Sequence, residues 1–78
     1  MDQRTYDQMA PALHPVVKKQ PGFIIHVAYA TSEGFAVGEV WETKEQHEAW
    51  FNENIAPNLP SGDGTSVEYT DLHAVVRP

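Results

Sequence analysis

Apolar residues recur at three- and four-residue spacing through Tyr6, Met9, Ala10, Leu13, Val16 and Val17, the period of a helix with one buried face. Pro11 and Pro15 fall inside that stripe. Each removes a backbone donor and crowds the preceding turn, so the pattern predicts a kinked helix or two short ones between about residues 3 and 19. Pro21-Gly22 stands where a helix breaker is expected. The pattern then changes to β-branched and aromatic runs, "FIIHVAYA" (23–30) and "FAVGEVWE" (35–42), separated by "TSEG". Two such runs around a short polar loop predict a hairpin.

A four-residue loop sets Ala30 opposite Phe35, so paired residues have numbers summing to 65. On one face Ile24 then meets Trp41, His26 meets Glu39 and Ala28 meets Val37. On the other, Ile25 meets Val40, Val27 meets Gly38 and Tyr29 meets Ala36. The second face is almost wholly apolar, with small residues that would let a helix approach, and is assigned to the helices. The first mixes His26, Glu39 and Trp41 with apolar neighbours and reads as the lining of a cavity. A one-residue change of loop length would exchange the faces.

Thr43-Lys44-Glu45-Gln46 has the spacing of a capping box and opens a second helix. Its stripe is His47, Trp50, Phe51, Asn54 and Ile55, and Pro57 ends it. "PNLPSGDGTS" is a loop. Val67 to Val76 is expected as a final strand whose alternation changes phase near Thr70-Asp71, the mark of a bulge. The order helix, strand, strand, helix, strand becomes the split βαβ pattern if one strand is added in front. In that topology the added strand is central. Three strands alone would leave a slot bordered by unpaired backbone groups.

Composition narrows the setting. Seventy-eight residues make one domain, spanning 1–78, with a core that is marginal because so short a chain buries only about 60% of its unfolded surface. No cysteine is present to reinforce it by disulfides, so self-association is the remaining means. Five basic against eleven acidic residues, a formal charge of -6, argue against a nucleic-acid partner. No apolar run reaches the roughly 18 residues of a membrane span, and no secretory signal is legible. A cytoplasmic protein without a membrane partner is expected.

Among the candidate groups, His26 opposite Glu39 is the acid–base pair. A carboxylate beside an imidazole stabilises the imidazolium and equips the histidine as a general base. The alternative is a cross-strand polar pair that merely satisfies itself. Trp50 reads as the anchor of the second helix, and Trp41 either as a pocket wall for a flat ligand or as packing. His47 is expected at the edge of its helix stripe, partly exposed, and His14 offers nothing specific. The direction of His73 depends on the bulge. No histidine pair has the i, i+4 spacing of a helical metal site, so no metal is expected.

The stretch "PGFIIHVAYATSEGFAVGEVWETKEQHEAWF", with "LHAVV" near the end, resembles the antibiotic biosynthesis monooxygenase-like family. The shared marks are Pro21-Gly22-Phe23 before a strand, Val40-Trp41-Glu42-Thr43 leading into a helix, and Leu72-His73. The resemblance runs from about Tyr6 to Val76. It implies an α+β, ferredoxin-like domain pairing as a homodimeric α/β barrel, here in the order α-β-β-α-β without the usual N-terminal strand. Met1 to Tyr6 resembles the turn that follows that strand, so either the natural start lies upstream or a partner chain fills the slot. Haem-degrading relatives use a tryptophan on the second helix, which Trp50 matches. Their ligand histidine would fall near Leu59-Pro60, where there is none, and the strand bearing their asparagine is absent.

The resemblance therefore implies a cofactor-independent monooxygenase acting on a small oxidisable aromatic or enolic compound. In such an enzyme His26 is the base and Glu39 its orienting partner, and Trp41, Ile24, Val37, His73 and Trp50 line the substrate pocket. The alternative is a non-catalytic small-molecule-binding or assembly module of the same fold.

Overall fold

The computed structural model describes all 78 residues, Met1–Pro78. Helix α1 (Gln3–Val17) begins where the Asp2 carboxylate accepts the backbone N–H of Thr5 at 2.8 Å. That bond satisfies one of the free donors of the first turn. The helix is continuous through Pro11 and Pro15, so the two-helix alternative is not realised. The carbonyls that the prolines leave without donors belong to Asp7 and Pro11, which are exposed residues where water can take the donor's place.

Strands β1 (Phe23–Thr31) and β2 (Gly34–Trp41) form a two-stranded antiparallel sheet. From Ile25↔Val40 to Ala30↔Phe35 the pairing is the one the hairpin pattern predicts. Both ends differ. Thr31 pairs with Gly34, which shortens the loop to Ser32-Glu33, and Phe23 rather than Ile24 lies opposite Trp41. Gly22 explains the second change. At φ 82° it turns the chain into β1, and its carbonyl accepts the N–H of Glu42 at 2.8 Å, pinning that end one residue out of step. The irregularity between Phe23 and Ile25 absorbs the extra residue.

The helices cover the face that carries His26, Glu39 and Trp41, and not the apolar face expected to hold them. Ile25, Val27 and Tyr29 stand 52%, 49% and 53% exposed on the opposite side. Polar partners decide this. Tyr6 and His14 of α1 hydrogen-bond one another, and Tyr6 bonds His26, while His47 of the second helix stands beside Glu39. The apolar face offers no such bonds. Gly38 makes room for a neighbouring strand, not for a helix: a Cβ there would stand 3.1 Å from a methyl of Val27.

Helix α2 (Lys44–Trp50) carries the predicted capping box, with Thr43 and Gln46 each accepting the other's backbone N–H. Beyond Trp50 the coil widens into a π turn, Phe51–Ile55, and then a 3-10 turn, Ala56–Asn58, that holds Pro57. The Asn54 and Asn58 side chains donate to the carbonyls of Trp50 and Asn54, at 3.2 and 2.8 Å.

Residues 67–76 do not form the expected strand. They make no backbone–backbone hydrogen bond. In the split βαβ arrangement the last strand pairs with a strand lying between itself and β2, and neither strand of this sheet occupies that position. Without a neighbouring backbone to pair with, the segment is not a strand. Only Val17 of α1 and Trp50 of α2 are buried among the 78 residues, so the core is small. The architecture is a small α+β fold of two helices on one face of an antiparallel hairpin.

Candidate functional site

A chain of polar contacts crosses the covered face of the hairpin. His26 on β1 and Glu39 on β2 are directly opposed, and Nδ1 of His26 lies 2.6 Å from Oε2 of Glu39. The other carboxylate oxygen accepts the indole N–H of Trp41 at 3.1 Å, two residues along the same face. On the far side of the imidazole, Nε2 of His26 meets the Tyr6 hydroxyl at 2.7 Å, and that hydroxyl also meets Nε2 of His14 at 2.8 Å. On the α2 side, Nε2 of His47 stands 3.4 Å from Oε1 of Glu39, and its Nδ1 meets the Tyr69 hydroxyl at 2.7 Å.

One arrangement of hydrogens satisfies the set. With both oxygens of Glu39 accepting, His26 donates from Nδ1 and Trp41 donates from its indole. Nε2 of His26 is then an acceptor and takes the Tyr6 proton. With its hydrogen committed, the Tyr6 oxygen accepts from His14. Tyr69 donates to Nδ1 of His47, whose protonated Nε2 turns toward Glu39. Every donor on the face leads toward one carboxylate. Burial pushes the Tyr6 phenol above its ordinary value, with the negative charges of Asp7 and Glu39 adding to the effect. Tyr6 is therefore neutral and able to donate at neutral pH. Tyr69 is likewise raised by burial and then by Glu48.

The network borders a cavity of about 1050 Å³ between the helices, the hairpin and residues 64–77. His26, Glu39, Trp41, Ile24, Val37 and Trp50 all line it. His73 does not; it lies in the exposed C-terminal segment, because without strand pairing no pleat turns it inward. Trp41 stacks edge-on against Phe23 and His47 and lies 6.5 Å from Trp50, which joins the aromatic wall to the buried anchor of α2.

Four members of the network were not singled out by the sequence as chemistry: Tyr6, His14, His47 and Tyr69. Tyr6 was legible only as part of an apolar stripe. His14 is exposed yet reaches Tyr6, and the His47 side chain, expected at the edge of its stripe, is only 14% exposed and well inside the site. The available signal was that α1 and α2 each carry a histidine near an aromatic residue of their stripe. Only the decision about which sheet face the helices cover could give that signal meaning.

No group of three or more histidine or acidic side chains converges on a point that could hold a metal ion. No helix is long and apolar enough to cross a membrane. Comparison with family models, curated proteins and solved structures finds no match to this chain.

Proposed function

We infer that this chain is a monooxygenase-like protein of the antibiotic biosynthesis type, working without a cofactor on a small oxidisable aromatic or enolic compound. The observation that supports it most is the Tyr6–His26–Glu39 series at the edge of a partly apolar cavity. Nε2 of His26 is the basic atom, and the Tyr6 hydroxyl, which also borders the cavity, is hydrogen-bonded to it. A substrate hydroxyl or acidic C–H placed against the Tyr6 oxygen passes its proton there as Tyr6 passes its own to His26. Glu39 then stabilises the imidazolium. The remaining anion is electron-rich enough to form a C–O bond with O2, and loss of water from the resulting hydroperoxide leaves a carbonyl. For an activated methylene the balance is R2CH2 + O2 giving R2CO + H2O, with the substrate supplying every electron. Trp41 offers a flat wall on which an aromatic ring can stack.

The same reading makes the molecule a ferredoxin-like homodimer whose two sheets close into a barrel, in a cytoplasmic setting. The exposed Ile25, Val27 and Tyr29 supply an apolar face for the partner sheet. A second reading, a non-catalytic binding or assembly module, is favoured by one specific feature. His26 already has a partner on each ring nitrogen, and no buried side-chain donor or acceptor lacks one.

Oxygen uptake with naphthol-type substrates separates the two. Catalysis by this site requires uptake that falls at least about a hundredfold in His26→Ala, the usual scale of a general base. Uptake unchanged in His26→Ala and Glu39→Gln would remove these residues from any chemistry. Light scattering at micromolar concentration tests the dimer, and a stable monomer there refutes it.

A further inference from the structure

His26 has no ring nitrogen free to exchange a proton with water. Glu39 holds Nδ1 at 2.6 Å, the Tyr6 hydroxyl holds Nε2 at 2.7 Å, and the side chain is only 18% exposed. A second, smaller cavity of about 310 Å³ beside β1 also reaches His26, but it meets no unpartnered nitrogen there. A proton taken from a substrate therefore stays beside the carbanion it left. It returns to that carbanion unless a hydrogen-bonded neighbour carries it away.

Two routes lead outward. One passes Glu39 and His47 to Tyr69, and it contains the 3.4 Å step from Oε1 of Glu39 to Nε2 of His47. That step is longer than the roughly 2.7–2.9 Å of a charge-assisted hydrogen bond. The other passes the Tyr6 hydroxyl to Nε2 of His14, in steps of 2.7 and 2.8 Å. His14 is exposed, and its Nδ1 has no partner within the chain, so water can add or remove a proton there. The His14 and His26 rings stand edge-on, 5.1 Å between centres, and only the Tyr6 hydroxyl bridges their nitrogens.

A hydroxyl and an imidazole can each donate and accept, which lets this row run in either direction. At rest His14 donates to Tyr6, and Tyr6 donates to His26. After His26 has become an imidazolium, and with His14 as the neutral Nδ1–H tautomer, both bonds reverse. The Nε2 proton of His26 then passes to the Tyr6 oxygen as the Tyr6 hydrogen passes to Nε2 of His14. His26 is neutral again, Tyr6 is unchanged, and His14 releases its Nδ1 proton to water. One N–H and one O–H bond break, one of each forms, and no electron moves.

We propose that His14 is the proton outlet of the site: acting through the Tyr6 hydroxyl, it exchanges with water the proton that His26 takes from a substrate. The outlet rests on the reading of His26 as a base and adds what leaves the carbanion free to meet O2. It also gives the protein an activity that needs no oxygen, the exchange of a substrate's acidic C–H hydrogens with water.

The test uses the full chain without oxygen, in weak buffer, and 2-tetralone deuterated at its benzylic methylene. Mass spectrometry follows the label that remains, and the rate without protein is subtracted. The wild type is expected to release the label, and His26→Ala to lose at least about a hundredfold. His14→Gln is expected to lose at least about tenfold, because its amide still donates to Tyr6 but carries no proton. His14→Ala should lose as much and recover when imidazole is added to the buffer, whereas the glutamine variant should not. Wild-type exchange in His14→Gln would show that a hydrogen bond to Tyr6 is enough, and it overturns the outlet. Loss in Tyr69→Phe with exchange retained in His14→Gln would route the proton through His47, and it overturns the outlet too. The two readings fail separately. No release by the wild type removes His26 as the base and the outlet with it, whereas release that needs His26 but not His14 overturns the outlet alone.

Discussion

Replacing Glu39 by glutamine removes the charge and turns one acceptor oxygen into a donor. The wild-type carboxylate accepts from Nδ1 of His26 and from the indole of Trp41, with His47 3.4 Å away. An amide has one oxygen, so it can accept from His26 or from Trp41 but not from both. Aimed at His26, it sets its NH2 against the Trp41 N–H, and the indole donor goes without a partner at a cost of about 1–3 kcal/mol. The surviving bond to His26 loses its charge assistance, worth about 1 kcal/mol more. The sum is about 2–4 kcal/mol, against a total stability of roughly 4–12 kcal/mol expected for a chain of this size. The variant therefore loses a large share of its stability, with a melting temperature lower by about 10 °C or more.

Urea unfolding followed by far-ultraviolet circular dichroism measures that cost, and a double-mutant cycle identifies its source. In a Trp41→Phe background the opposing donor is gone, so Glu39→Gln should cost only about 1 kcal/mol, leaving a coupling of about 1–3 kcal/mol. A Glu39→Gln cost below about 0.5 kcal/mol, or a coupling indistinguishable from zero, would refute the view that Glu39 is the shared acceptor of this face.

The other predictions concern the frame of the site. Gly22→Ala forces a side chain into the left-handed region at φ 82° and against the Gln46 side chain, so it should destabilise the fold by about 1–3 kcal/mol in the same denaturation assay. Thr43→Ala removes the oxygen that accepts the Gln46 N–H at 3.2 Å and should cost about 1 kcal/mol, with a matching loss of helical ellipticity near the midpoint. Tyr6 titrates above its ordinary 10.0 because the folded state buries it, so its contribution is present below that value and lost as pH rises through the higher folded one. Tyr6→Phe should therefore flatten the alkaline limb of the stability–pH curve. Asp2 is held below its ordinary 3.8, first by the Thr5 backbone N–H and then by the Thr5 side chain, so its contribution is present above that value and lost as pH falls. Asp2→Asn should make the acid limb shallower, read by the same titration of stability.

The hairpin, its central register and the opposition of His26 and Glu39 follow from local pattern, because a strand's two-residue period and a short loop leave little freedom. The capping box at Thr43 and the breaker at Gly22 were legible for the same reason: each depends on residues within a few positions of one another. The register at Trp41 was not, since it is fixed by the Gly22–Glu42 bond across the sheet. The expected strand at 67–76 failed for a related cause. Its residues have strand character, but a strand exists only where a neighbouring backbone accepts it.

The sequence by itself determined which residues share a face, where helices start, and that one face carries a histidine opposite a glutamate beside a tryptophan. Tertiary structure alone decided which face the helices cover. Hydrophobicity favoured the side of Ile25, Val27 and Tyr29, yet that side is open and the helices lie on His26 and Glu39. Apolar burial has no direction and would accept either side, whereas on this one Tyr6 finds a hydrogen-bonding partner in His26 and His47 stands 3.4 Å from Glu39. That placement turned two helix histidines and two tyrosines into parts of the site, although nothing in their sequence neighbourhoods set them apart.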